Sequence, residues 1–271
     1  MTEYDRIAAA ADYLRAHDVA PRALVILGTG LGGLSERLEN RVAIPYEDVP
    51  HFPVSTAPGH SGQLVFGSHE GVPALVMEGR LHFYEGYSLT EIVRPIRVAR
   101  QLGANTLVIT SAVGGMNPQH RKGEIVVIDD HINLIGDSPL RGDNDDRIGP
   151  RFPDMSAPYD PALIDRAEAL SIQAGERLPR GTLVAVPGPQ LETRAEYRML
   201  RQAGADIVGM STVPECIAAV HAGMAVCGLS VVTDLCFPDA LEPAHVEDII
   251  AVANEAAPRL EALVLGLLAH A

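Results

Sequence analysis

Basic residues are scarce in this chain: 21 Lys and Arg stand against 35 Asp and Glu across 271 residues, a formal charge of −14 with the histidines neutral. Nucleic acids and anionic membrane surfaces are gripped through clustered cations. The deficit argues against both as extended partners, and any anion site has to be local. The sequence also lacks a run approaching the ~18 apolar residues of a membrane span. Its opening, MTEYDRIAAAADYL, lacks the basic start, apolar stretch and cleavage site of a secretory leader. A soluble cytoplasmic protein is the expectation. Cysteine is sparse as well. Cys216, Cys227 and Cys236 are odd in number, lack CxxC spacing and sit in apolar stretches, so they read as core thiols rather than zinc ligands. No internal repeat or low-complexity tract divides the chain.

What is present is a large supply of apolar residues, 47% of the chain, enough for one large core and a single domain over residues 1 to 271. Short apolar runs alternate with longer helical patterns. Strands are expected at residues 23 to 27, 63 to 67, 74 to 78, 106 to 110, 124 to 129, 182 to 188, 205 to 210 and 225 to 234. Helices are expected at 3 to 17, 88 to 102, 160 to 175, 192 to 203, 212 to 223 and 243 to 269. Several strands are apolar on both faces, as in a sheet covered by helices on each side, which gives an α/β layered fold. Residues 136 to 160 carry turn chemistry throughout and read as one long loop of the kind that often serves function.

In LVILGTGLGGLSERL, Gly28, Gly30 and Gly33 have the spacing GxGxxG between an apolar run and a helix-like segment. A dinucleotide fold needs an acidic residue about twenty positions further on, at the end of a second strand. Glu47 and Asp48 stand near that distance, but in IPYEDVPHFP two prolines break any strand. What survives is a tight turn whose small residues admit a ligand, an anion by preference, or a turn with no ligand at all. Four other segments bear on the choice. Arg80 and His82 in MEGRLHFYEGYS are two apart at a strand end and point the same way, followed by Tyr84 and Glu85. His60 sits on the Pro/Gly turn TAPGHSG, and the amide of Ala112 in TSAVGGMNP is open to an anion. Ser211 in GMSTVPE begins a helix, with Thr212 and Glu215 spaced as a capping box that would by itself explain the segment.

Taken together, GTGLGGL, HFPVSTAPGHSGQLVFG, GRLHFYEGYS, TSAVGGMNP, DHINLIGDSPLRGDNDDRIGPRFPDMS, GPQLETRAEYRMLRQAGADIVGMSTVPE and VVTD resemble the trimeric purine nucleoside phosphorylases, the family that includes methylthioadenosine phosphorylase. The resemblance covers nearly the whole chain. It implies a three-layer αβα fold around a mixed, partly barrel-like sheet, and a homotrimer with sites near subunit boundaries. It also implies reversible phosphorolysis of purine nucleosides in purine salvage, with inorganic phosphate as co-substrate and without metal or organic cofactor. By position, the phosphate contacts implied are Thr29, His60, Arg80, His82, Ala112 and Ser211, Thr29 standing where Ser is common. Tyr84 and Met210 flank the ribose, His245 lies near its 5′ end, and Phe152 is lent to a neighbouring subunit's site. Glu192 and Asp234 read the purine, and His82, Glu85 and Asp234 form the expected catalytic set.

The resemblance leaves base preference divided. Asp234 replaces the Asn typical of guanosine and inosine enzymes. An ionised Asp only accepts hydrogen bonds, which suits a 6-amino group, whereas a protonated one donates to N7. Glu192 favours the opposite class, since a carboxylate accepts from the N1–H of a 6-oxopurine. His245 favours a 5′-hydroxyl over an apolar methylthio group, unless it merely begins the last helix. Leu191 replaces an aromatic often found beside the purine. Two other classes stay open: a dinucleotide-dependent oxidoreductase, and a nucleoside-binding protein that has lost turnover.

Overall fold

The computed structural model describes residues 1–28, 33–55 and 61–270; Thr29, Gly30 and His60 lie outside the described residues. The chain begins α1 (Glu3–Arg15), β1 (Ala23–Ile26), β2 (Glu39–Pro45), β3 (Gln63–His69), β4 (Val72–Glu78), α2 (Leu89–Gln101), β5 (Thr106–Gly115) and β6 (Ile125–Asn133). It continues α3 (Pro161–Gln173), β7 (Arg180–Ala185), α4 (Arg194–Gln202), β8 (Ile207–Gly209), α5 (Val213–His221), β9 (Ala225–Leu235) and α6 (Val246–Leu268). All the expected helices and strands are present, within a few residues at their ends, apart from β5 and β6, which run further than expected. Helix starts follow local chemistry. Thr2, Ser88 and Thr193 each close a capping box on α1, α2 and α4, and Asp160 caps α3 ahead of Pro161. Each such cap stabilises its helix by about 1 kcal/mol.

The strands form one mixed sheet in the order β2-β3-β4-β1-β5-β8-β7-β6-β9, and a further pairing of β5 with β9 closes the last five into a barrel. The helices pack as two groups, α1 with α2 with α5, and α3 with α6. β4, β1, β5 and β9 run parallel in succession, so their C-terminal ends share one edge, where α/β sheets bind ligands. Every residue of β1 is buried, as a central parallel strand requires.

Two local expectations are corrected. β2 went unread because only Ile44 of its seven residues is buried; as an edge strand pairing β3 alone it carries no inward alternation. The segment after the glycines is a four-residue 3-10 helix, Leu34–Arg37, too short to supply a helix-terminal field for an anion. Gly28 also packs against β5, since a Cβ there would stand 2.8 Å from Ser111 Cα and 2.9 Å from the Thr110 carbonyl oxygen, and it stays on the wall of the cavity described below. Between β6 and α3 no helix or strand interrupts the long loop read from residues 136 to 160.

Candidate active site

A cavity of about 390 Å³ opens at the shared strand edge. One end is built on Arg80, two residues beyond β4, reached through Gly79 at φ +133°. Arg80 is 2% exposed; its Nη1 donates to the Thr110 carbonyl at 2.8 Å and to Ser211 Oγ at 3.1 Å, and its Nε lies 3.0 Å from Glu215 Oε1. Burial pulls the Arg80 guanidinium below its ordinary value, and Glu215 opposes that pull. Ser211 is turned towards Arg80 by a buried γ-turn at Thr212, φ +75° and ψ −48°, closed by the Val213 N–H donating to the Ser211 carbonyl at 2.9 Å. A non-glycine residue in that conformation carries strain of about 1–3 kcal/mol, which packing must hold. The expected capping box is therefore corrected. Thr212 precedes α5 but its side chain makes no cap bond, and Glu215 serves Arg80 instead.

His82 is held by Glu85. The Glu85 Oε1 accepts from the His82 backbone N–H at 2.7 Å and lies 3.0 Å from Nδ1, while Tyr84 stacks on the imidazole at 4.6 Å and 15°. A carboxylate on Nδ1 fixes the tautomer and the orientation of the ring. Ala112 lies on the cavity wall within β5, rather than in a loop after it. Met210 and Tyr84 line the middle, and Met210 sulfur packs where only a glycine, Gly188 at φ +64°, leaves room.

The far end carries Glu192 and Asp234. Asp234 is placed by a bulge: Val113 pairs Val232 but Gly114 pairs Asp234, skipping Thr233. Gly114 permits it, since a Cβ there would meet Cys236 Sγ at 2.5 Å. Asp234 Oδ1 accepts from the Thr233 hydroxyl at 3.0 Å and Oδ2 from the Cys236 thiol at 3.1 Å. Burial pushes the Glu192 carboxyl above the ordinary range, and the charge of Asp234 adds to the rise.

The structure thus brings Arg80, His82, Tyr84, Ala112, Glu192, Met210, Ser211 and Asp234 to one cavity, with Glu85 behind His82. It does not bring two others there. His245 is the exposed residue before α6 and lines an annex of about 310 Å³ that shares Glu192 and Asp234 with the main cavity. Phe152, on the long loop, is 88% exposed and lies outside both. Sequence reasoning missed Glu215, Thr233, Tyr197 and the α6 wall of Val246, Ile249 and Ile250. Only the last had a signal, the apolar face of the final helix. All three cysteines are buried, as expected. Among the described residues no cluster of His, Cys, Asp or Glu is arranged to hold a metal ion, and no helix is long and apolar enough to cross a membrane. A wider cavity of about 670 Å³ near α1 and α2 is lined by Glu3 and Arg94, which pair with each other at 2.7 Å.

A family model of the phosphorylase superfamily matches residues 22–269. Purine nucleoside phosphorylase 1 of Bacillus subtilis (strain 168) is 48% identical over 231 residues, 85% of each chain. The purine nucleoside phosphorylase of Bos taurus is 45% identical over 267 residues, 96% of this chain and 92% of the relative. Among solved structures, isoform 2 of purine nucleoside phosphorylase from Schistosoma mansoni, in complex with cytosine and ribose-1-phosphate, superposes with a TM-score of 0.94 at 39% identity, covering 98% of this chain and 96% of that one. With strand-end geometry, closed five-strand core and sequence in agreement, the chain belongs to the phosphorylase superfamily and, within it, to the purine nucleoside phosphorylases.

Proposed function

We propose that phosphate is held at Arg80, His82 and Ser211 and the purine at Glu192 and Asp234, with the ribose between them beside Tyr84 and Met210. The activity is the family's: the C1′–N9 bond of a purine nucleoside breaks, a phosphate oxygen bonds C1′, and the base leaves with a proton, reversibly. The observation that carries the assignment of roles is the polarity of one cavity. A buried guanidinium, a hydroxyl and a carboxylate-backed imidazole line one part of it, and two carboxylates another.

The chemistry asks for that arrangement. Cleavage builds positive charge on the ribose and negative charge on the departing purine. Phosphate fixed beneath C1′ is both nucleophile and counter-charge, so no protein nucleophile is needed and phosphate is the co-substrate rather than a cofactor. Glu85 holds His82 in the tautomer that meets phosphate, and a proton donated at N7 from Asp234 lowers the leaving-group barrier, by about 3 kcal/mol on the scale of an oxyanion-hole donor. A homotrimer would give Phe152, 88% exposed, a partner site to cover, and a cytoplasmic location fits a chain without a membrane-spanning helix among its described residues.

The test is release of free base from inosine, guanosine, adenosine and methylthioadenosine with and without phosphate. Phosphate-dependent release is expected, with Arg80→Ala and Ser211→Ala raising the KM for phosphate; release from none of the four refutes the assignment. One observation favours a second reading of the 5′ end. The α6 residues facing the main cavity are the apolar Val246, Ile249 and Ile250, while His245 lies in the annex. That wall suits an apolar 5′ substituent, and the methylthioadenosine arm of the same assay separates the two.

A further inference from the structure

Arg80 leaves the end of β4 through Glu78 and Gly79, and every carbonyl of that exit is held from behind by a group outside the cavity. The Glu78 carbonyl accepts from the Gly62 N–H at 2.7 Å, the Gly79 carbonyl from the Tyr46 hydroxyl at 2.6 Å, and the Arg80 carbonyl from the Ser55 hydroxyl at 3.0 Å. The buried Glu78 side chain is held too: Oε1 accepts from the Ser35 hydroxyl and Oε2 from the Gln63 amide at 2.6 Å. Gln63 reaches it because the two residues are direct partners in the antiparallel register of β3 and β4, so their side chains share a face. Tyr46, 1% exposed in the 3-10 helix Tyr46–Asp48, is braced by Phe52, ring centroids 6.0 Å apart, and its N–H donates to the Gly62 carbonyl at 2.9 Å. Burial pushes its phenol above the ordinary value, so it stays a donor. Neither Tyr46 nor Glu78 lines the cavity.

We propose that Tyr46 and Glu78 are positioning residues for phosphate: they clamp the Gly79 turn, and through it the direction in which the Arg80 guanidinium enters the cavity. This rests on the reading that Arg80 binds phosphate. The turn needs a clamp because of its own residue. Gly79 stands at φ +133°, where a glycine moves freely and has no side chain to lock it, so the direction of the chain beyond it is set by whatever holds its neighbours. Thr110, Ser211 and Glu215 hold the guanidinium, while the clamp fixes where the stem of the side chain starts. A shifted stem breaks one of those three bonds or tilts the planar fork, and a tilted fork loses its match to an oxyanion. The clamp also reaches two other parts of the chain. Ser35 follows the glycine segment that carries Thr29, and Gln63 follows the segment that carries His60, the expected phosphate contacts outside the described residues. The two donors on Glu78 are neutral, so what the position supplies is hydrogen bonding rather than an ion pair. A glutamine can supply the same: its carbonyl accepts from the Gln63 amide, and its amide donates to the Ser35 hydroxyl, which turns to accept. A leucine leaves the hydroxyl and the amide unmet in a buried place.

The experiment measures kcat and the KM for phosphate and for nucleoside, each varied in turn, in the unaltered protein and in Tyr46→Phe, Glu78→Leu and Glu78→Gln. Titration calorimetry with inorganic phosphate gives its Kd directly, and melting curves verify folding. Tyr46→Phe keeps the ring and loses one bond, so the KM and Kd for phosphate should rise roughly tenfold, the upper end of what one neutral hydrogen bond is worth. Glu78→Leu should raise them further, towards the roughly 100-fold that a displacement of about 1 Å costs a positioned group. The KM for nucleoside should stay close to the original in both, and Glu78→Gln should restore phosphate binding. A merely structural role would lower the melting midpoint and the yield of active protein at unchanged KM for either substrate. An unchanged KM and Kd for phosphate in folded Tyr46→Phe overturns the proposal, as does an equal rise for phosphate and nucleoside, or a Glu78→Gln as impaired as Glu78→Leu. Should Glu78→Leu fail to fold, Tyr46→Phe decides alone. Arg80→Ala separates the two levels: if it leaves the KM for phosphate unchanged, the assignment of the phosphate site fails, and if it raises it while Tyr46→Phe does not, the clamp alone fails.

Discussion

Removing Glu215 tests the phosphate end without touching a group that meets the substrate. Arg80 and Glu215 are each 2% exposed and pair at 3.0 Å, so Glu215→Ala leaves a guanidinium buried without its carboxylate. Breaking one side of such a pair costs about 3–5 kcal/mol, most of it the uncompensated charge rather than the lost bond. Over 271 residues an unfolding entropy of ~2.1 cal/mol/K per residue gives about 0.57 kcal/mol/K, so the melting midpoint should fall by about 5–9 °C. Phosphate should then substitute for the missing anion. Saturation at a hundredfold excess over Kd is worth about 2.7 kcal/mol to any binder, and the variant's gain should exceed that of the unaltered protein, because in the variant the ligand also neutralises Arg80. Thermal melts with and without phosphate, using chloride of matched ionic strength as control, read both effects. A variant melting within about 1 °C of the original, or an equal phosphate shift in both, would refute the reasoning.

Gly28→Ala should destabilise by about 1–3 kcal/mol, because the added methyl meets backbone of β5 on two sides and β1 has to move. The KM for phosphate should rise with it, since Thr110, the strand residue displaced, is Arg80's carbonyl acceptor; an unchanged melting curve would show that the strands can part freely. Glu192→Gln tests the raised carboxyl. A folded state that binds the proton more tightly than the unfolded chain loses stability as pH rises from the ordinary value of 4.5 through the raised one. The glutamine variant does not titrate, so it should gain on the unaltered protein as pH climbs through that window and lose the advantage below it. Denaturant melts at a series of pH values measure the gap, and a gap that is constant with pH would contradict the burial of Glu192.

How much of this was legible in advance can be traced through particular residues. The buried parallel strands announce themselves because both faces are apolar, and the helices because their caps are local: Ser88 needs only Glu91, and Thr193 only Glu196. β2 was invisible for the converse reason, being held by backbone pairing to β3 with a single buried side chain. At Thr212 and Glu215 the local pattern misled. The spacing is that of a cap, but the partner that claims Glu215 lies 135 positions earlier in the chain, at Arg80.

The sequence by itself determined the layered α/β fold, the family and the residue types at both ends of the cavity, because strand periodicity, capping and motif spacing are written over a few residues at a time. Tertiary structure decided which glycine packs strands, Gly28, and which residue pairs with Arg80. It also decided that His245 faces an annex, and that Cys236, read from sequence as a core thiol, bonds the carboxylate of Asp234. Those outcomes depend on how closely distant segments approach, set by barrel closure and by the bulge at Gly114, and no local pattern encodes a distance between strands.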